Sequence, residues 1–361
     1  MPHPPQTSPR SPLLPLIGIA AIVGALALAF AWTAGWIGSS RVTAQRLIDT
    51  IESGNPQPFP GYRRAHAKGM CIVGTFRSSG EAVALSTARV FAQSETPVLG
   101  RISIAGNPHG ADDAARVRSL ALLLRTDDGQ QWRTAMNSFP FFLVATPEGF
   151  LAQMLASRPD PATGKPDPAK LAAFAEKYPE ARKFQAWAAQ APWPDSWANT
   201  EFNSVNAFRA TAANGSEHYI RWSMRPQTPL QTMTPEQRKE AGADFLSRDL
   251  PERLAKGPLR WDMVLTLAEP GDAVNDPSQP WPESRPQVVA GTLEVTGAVD
   301  QATGQCRDVN FDPLILPTGL AASDDPVLLA RSSVYSESFN RREQEIAHGE
   351  ATEAVGRKSA P

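Results

Sequence analysis

Arg63-Arg64-Ala65-His66-Ala67-Lys68-Gly69 places one histidine in a run of cations, and Arg331-Ser332-Ser333-Val334-Tyr335, most of the chain later, places an arginine four residues before a tyrosine. That spacing of four brings Arg331 and Tyr335 onto one face of a helix. Neither stretch is specific alone. A histidine among arginines is usually solvated or bonded to backbone, and arginines such as Arg63, Arg101 and Arg342 usually form surface ion pairs. Their weight comes from what lies between them.

Working outward from Gly69, short apolar runs at Met70 to Phe76, Ala82 to Leu85, Val98 to Ile104, Leu120 to Arg125 and Phe139 to Ala145 read as strands, with Thr126-Asp127-Asp128-Gly129 as a hairpin-type connection. Strands return at Val205 to Ala212 and His218 to Met224 across an Asn214-Gly215 turn, and again at Trp261 to Leu267 and Val288 to Val295. Runs this close together predict an antiparallel barrel or sandwich. Helical spacing marks Val42 to Glu52, Pro168 to Gln190 as a helix or helix pair, Thr232 to Leu254, and Pro326 to Ile346 as one long helix. The expected class is α+β, an antiparallel β-barrel with helical cover.

The chain has 361 residues, 42% hydrophobic and 20% charged, enough for a substantial core. A net charge of -2, with the basic residues scattered, gives no nucleic-acid footprint. The 34 prolines gather in the N-terminal tail, Pro159 to Pro168, Pro192 to Pro194 and Pro277 to Pro286, marking long connections. No residue from Ser11 to Ser40 is charged, and Leu16 to Ile37 is almost wholly apolar. That exceeds the roughly 7 to 15 residues of a signal-peptide core and meets the roughly 20 that cross a bilayer. An uncleaved transmembrane anchor over 15–38 is therefore expected, although Ala29-Phe30-Ala31 leaves cleavage open. The charges flanking it are balanced, so the domain is placed outside the cytoplasm, periplasmic in a bacterium, from the usual signal-anchor layout. Cys71 and Cys306 are too few for a disulfide framework and read as two small buried side chains.

In order and spacing, these segments resemble the catalase family over roughly Gln57 to Glu345. Arg63-x-x-His66-Ala67-Lys68-Gly69 followed by Gly74-Thr75-Phe76 is similar to the family's distal-histidine segment. Arg101-Ile102-Ser103-Ile104-Ala105-Gly106 resembles its next haem-lining strand, Asn137-Ser138-Phe139-Pro140-Phe141-Phe142 the distal-asparagine segment, and Arg331-x-x-x-Tyr335 with Arg342 the proximal helix. Asn203 to Gln227, Trp281-Pro282 and Asn310-Phe311-Asp312-Pro313 continue the likeness. The resemblance implies a catalase-type barrel over 57–346, preceded by a tail at 1–14, the anchor, and a linker with lead-in helix at 39–56, and followed by a disordered tail at 347–361.

It also implies haem b, with Tyr335 as axial iron ligand. Arg331 would hold the phenolate's charge, since a nearby guanidinium favours a charged partner. Arg63, Arg101 and Arg342 would take the propionates through their planar forks. His66 would move the peroxide proton and Asn137 would orient the peroxide. Ser103 would fix the imidazole tautomer, Phe142 and Phe150 would lie against the porphyrin, and Asp112 falls where the family has a channel carboxylate.

Departures from the family pattern are Met70-Cys71-Ile72-Val73 after the distal motif, a membrane span in place of the long N-terminal arm, and no C-terminal helical region with its nicotinamide-nucleotide site. These fit the small catalase-related peroxidases better than true catalases. The implied reaction is reduction of an organic hydroperoxide, with hydrogen peroxide as a further substrate, by an external electron donor through a ferryl intermediate. Membrane lipid and a second copy of the chain complete the expected partners. The competing readings are a true catalase, a membrane-tethered haem carrier or peroxide sensor without turnover, and a lipid-binding barrel.

Overall fold

The computed structural model describes residues 13–33, 37, 42–55 and 57–349. The chain divides into two units, Met1–Thr43 and Ala44–Pro361. In the first, helix α1 (Leu13–Thr33) carries exposed large apolar side chains from Leu16 to Trp32, and Pro15–Thr33 is long and apolar enough to cross a membrane by length and composition. The expected tails, up to residue 12 and from residue 350, lie outside the described residues.

The second unit is built on strands β1 (Gly69–Ser78), β2 (Glu95–Ile104), β3 (Arg118–Arg125), β4 (Gln131–Asn137), β5 (Phe202–Asn203), β6 (Phe208–Thr211), β7 (Glu217–Pro226), β8 (Leu259–Leu267), β9 (Gln287–Asp300) and β10 (Leu320–Ala322). All pair antiparallel, and β7 pairs with β8 as well as with β5 and β6. That extra pairing closes β1-β2-β3-β4-β5-β7-β8-β9 into an eight-stranded barrel, with β6 and β10 attached at β7. Closure leaves those eight strands without a free edge. Alternation points Phe76, Ile102, Leu122, Leu124, Met263 and Leu293 into one core, where Trp132 meets Phe91 and Trp222 edge-on. Gly74 permits the β1–β9 approach at a bulge, because a Cβ there would stand 2.1 Å from the Glu294 carbonyl oxygen.

Helices α2 (Ala44–Ser53), α3 (Arg89–Ala92), α4 (Pro147–Ala156), α5 (Pro168–Lys177), α6 (Ala181–Gln190), α7 (Pro235–Ala241), α8 (Phe245–Leu254) and α9 (Pro326–Ala347) cover or connect the barrel. The run Pro168 to Gln190 is thus a pair of helices, and Thr232 to Leu254 splits at Gly242 into α7 and α8. Helix α9 starts where the buried Asp325 carboxylate accepts from the backbone N–H of Val327 and Leu328, with Pro326 in the first turn. Its 22 residues extend about 33 Å at the usual rise. Glu52 of α2 and Glu345 of α9 both pair with Arg64, and Arg341 of α9 pairs with Asp49 and Glu52, binding α2 to α9.

Three local expectations are corrected. Ala82 to Leu85 is not a strand, since Glu81–Ala84 forms a 3-10 turn entered through Gly80 at φ 83°. Phe139 to Ala145 is irregular, because Pro140 cannot donate to a ladder and the Phe142 N–H goes to the Pro277 carbonyl. Cys71 and Cys306 are not separate thiols but a disulfide, joining β1 to the loop after β9 across 235 residues. Their distance in sequence hid a Cα separation of 5.3 Å. Closing so long a loop restricts the unfolded chain strongly, and replacing both cysteines by serine is expected to lower unfolding free energy by about 2–5 kcal/mol. Urea unfolding of C71S/C306S checks this; an unchanged midpoint would deny the bridge any stabilising role.

Candidate active site

Strands β2, β3 and β4, the segment before β1, the loop holding Cys306, and helices α2 and α9 enclose a cavity of about 760 Å³, its open mouth included. Arg63 and His66 enter from the segment before β1, Arg101 and Ser103 from β2, Ser119 from β3, and Asn137 from β4. On the α9 side stand Arg331, Tyr335, Phe339 and Arg342, spaced by four, four and three residues and so on one face of the helix.

Backbone geometry sets His66 in place. Its φ of 53° is left-handed, which a non-glycine residue adopts only when its surroundings require it. The following N–H, of Ala67, donates to the Gly106 carbonyl at 3.0 Å. Burial, followed by the charges of Arg101 and Arg331, lowers the His66 pKa to about 4, so its imidazole is neutral at neutral pH. Nδ1 lies 2.8 Å from Ser119 Oγ, and that hydroxyl also donates to Asn137 Oδ1.

Across the cavity, Arg331 Nη2 donates to the Tyr335 hydroxyl at 3.0 Å and to the Ala135 carbonyl at 2.7 Å. Its Nη1 donates to Asn206 Oδ1 at 2.7 Å, and Asn206 Nδ2 donates to Asp325 Oδ2 at 2.6 Å. Asp325, the carboxylate that caps α9, thereby also orients the guanidinium beside Tyr335. Burial raises the Asp325 pKa against those hydrogen bonds.

Three further guanidiniums converge here. Arg63 Nη2 donates to the carbonyls of Cys306 and Val309, so the disulfide-tied loop holds it. Arg101 donates to Gln301 Oε1 and the Ala67 carbonyl. Arg342 is buried, yet its Nε and Nη2 have no hydrogen-bond partner, the nearest carboxylate oxygen on Glu343 being 3.6 Å away. Burial, with repulsion from Arg342, pushes Arg101 down to about 9; burial, then Arg101 and Arg342, lowers Arg63, and burial lowers Arg342. Among the described residues no carboxylate forms an ion pair with Arg63 or Arg101. Such a cluster suits an anionic ligand with at least two carboxylates.

Of the residues singled out from sequence, His66, Asn137, Arg63, Arg101, Ser103, Arg331, Tyr335 and Arg342 line this one cavity. Phe142 and Phe150 do not. Thr146 and Pro147 start α4 immediately after the irregular segment, and the two rings meet each other at 5.4 Å in a separate apolar cluster with Val144 and Phe174. The aromatic lining comes instead from Phe311 and Phe339. At the imidazole, the residue bonded to Nδ1 is Ser119 rather than Ser103. Asp112 is fully buried away from the cavity, where it pairs with Lys68 and accepts from the Leu246 N–H, fastening the histidine segment to α8. Sequence reading missed Ser119, Asn206 and Asp325. Only Asp325, followed by Pro326 before a helical run, left a sequence signal, that of a cap.

Residues 30–346 match the family model described as Catalase. A catalase-related peroxidase of Synechococcus elongatus is 38% identical over 327 residues, covering 90% of this chain and 95% of the relative. One of Mycolicibacterium paratuberculosis is 34% identical, covering 84% and 96%. The solved structure of catalase A from Saccharomyces cerevisiae superimposes with a TM-score of 0.71 at 21% identity, over 82% of this chain and 64% of that one, a likeness of fold.

Between pH about 6.5 and about 4 the unfolded chain binds a proton at His66 that the folded chain does not. The stability contributed by the neutral, half-buried ring is therefore complete above about 6.5 and lost as pH falls toward about 4. An NMR titration of the His66 ring in the full chain should show a midpoint near 4; one near 6.5 would mean that the ring is solvated.

Proposed function

Because the chain belongs to the catalase family and is thus an oxidoreductase of the peroxidase and catalase class, we propose that it is a haem b peroxidase reducing organic hydroperoxides with an external electron donor. The observation that carries the reading is the single cavity shared by His66, Asn137, Tyr335 and Arg342, whose Nε and Nη2 lack a hydrogen-bond partner. Its donor set suits haem. Tyr335 would supply its hydroxyl oxygen to iron, with Arg331 Nη2 donating to that oxygen, and Arg63, Arg101 and Arg342 would offer forked donors to two propionates.

When bound, haem supplies the redox centre at which the peroxide O–O bond is reduced. Over a full cycle a hydroperoxide, two electrons from the donor and two protons give an alcohol and water. His66, neutral at working pH, accepts the peroxide proton and returns it to the departing oxygen. Asn137 orients the peroxide through its amide. Val309, Phe311, Val334 and Phe339 keep the surrounding wall apolar and limit water.

Two observations favour a compact peroxidase acting outside the cytoplasm. The peroxidase relatives are covered over 95% and 96% of their length, whereas a Pseudomonas aeruginosa catalase is covered over 62%. The disulfide and the apolar α1 fit export to an oxidising compartment with α1 as a single membrane span.

His66→Ala is expected to retain haem while hydroperoxide consumption falls about 100- to 10,000-fold. Arg342→Leu is expected to weaken haem retention in a titration of the full chain. Unchanged consumption by the His66 variant would overturn the peroxidase reading in favour of a carrier or sensor.

A further inference from the structure

Ser119 lies on β3 and lines the cavity beside His66. It stands directly opposite Asn137 in the β3–β4 register and directly opposite Ser103 in the β2–β3 register. Its Oγ touches both candidate chemical groups, His66 Nδ1 at 2.8 Å and Asn137 Oδ1. We infer that Ser119 is a positioning residue whose single hydroxyl hydrogen sets the His66 tautomer and the Asn137 amide orientation together. The inference rests on the peroxidase reading for its use, not for its geometry.

A hydroxyl has one hydrogen to give and two lone pairs to receive. With that hydrogen donated to Asn137 Oδ1, Oγ can only accept from His66, so Nδ1 carries the ring proton. Nε2 is then left with its lone pair. The same bond occupies Oδ1 and leaves the Asn137 NH2 as the end available to a peroxide oxygen. Reversing the amide reverses everything at once: Nδ2 donates to Oγ, the hydroxyl turns to Nδ1, and the proton moves to Nε2. One setting gives a proton acceptor at Nε2 beside an amide N–H donor, and the other exchanges them, leaving Nε2–H beside the Asn137 carbonyl oxygen. Since the half-buried ring is neutral, the choice of tautomer is the whole of its acid-base character.

The test is magic-angle-spinning 15N NMR of the full chain carrying 15N-histidine, with diamagnetic zinc protoporphyrin replacing haem; His66 is assigned by the signal absent from H66Q. The wild type should show Nδ1 protonated and Nε2 bare. Ser119→Ala should shift the His66 population to the Nε2–H form, and Ser119→Thr, which keeps a hydroxyl, should restore the wild-type form. Asn137→Asp should retain it, because a carboxylate still accepts the hydroxyl hydrogen, whereas Asn137→Leu should lose it. Hydroperoxide turnover of the haem-loaded Ser119→Ala chain should fall on the order of 100-fold.

A wild-type ring protonated at Nε2, or a tautomer ratio unmoved in folded Ser119→Ala, would overturn the inference. If Ser119→Ala does not fold, the contrast between Asn137→Asp and Asn137→Leu still decides it. The ring can also be read without porphyrin. The predicted tautomers in a chain that consumes no peroxide would uphold the role of Ser119 and sink the peroxidase reading alone.

Discussion

Positive charge gathered out of water is the constraint around which this molecule is organised. Arg63, Arg101 and Arg342 converge on one cavity, burial lowers the pKa of each, and the charges of Arg101 and Arg342 add to the lowering of Arg63. Taking such ions out of water costs several kcal/mol each. A sequence that keeps them is arranged for something the protein atoms do not supply, and a dicarboxylate ligand answers that need. Burial, with the charges of Arg101 and Arg331, holds His66 neutral, so Arg101 acts on both the anion-facing cluster and the imidazole.

The scaffold makes this arrangement rigid. Closing the barrel through β7 and β8 fixes β2, β3 and β4 side by side, so that Ser103, Ser119 and Asn137 form a row across neighbouring strands. The buried Asp325 both caps α9 and, through Asn206, directs Arg331 onto Tyr335. Arg63 depends on the loop tied by the disulfide. His66, Asn137, Arg63 and Tyr335 are therefore each held by a second residue bound to a regular element or a covalent link.

How much of this the sequence disclosed follows from the range of the interactions. Alternating runs and Asn214-Gly215 announced the barrel, because strand burial and hairpin turns are local. The spacing of Arg331, Tyr335 and Arg342 announced the face of α9 for the same reason. Ser119 left no signal, since its meaning arises only when β3 lies between β2 and β4. Cys71 and Cys306, 235 residues apart, were unreadable as a pair. That Phe142 and Phe150 lie outside the cavity lining was not legible, because an irregular segment, not a periodic one, decides where those rings go.

The most direct test of the central claim is resonance Raman spectroscopy of the full chain carrying ferric haem, compared with Tyr335→Phe. The account predicts an iron–phenolate vibration in the wild type that disappears in the variant. A wild-type spectrum without that vibration, or one unchanged by Tyr335→Phe, would contradict the assignment of Tyr335 and with it the orientation of the site.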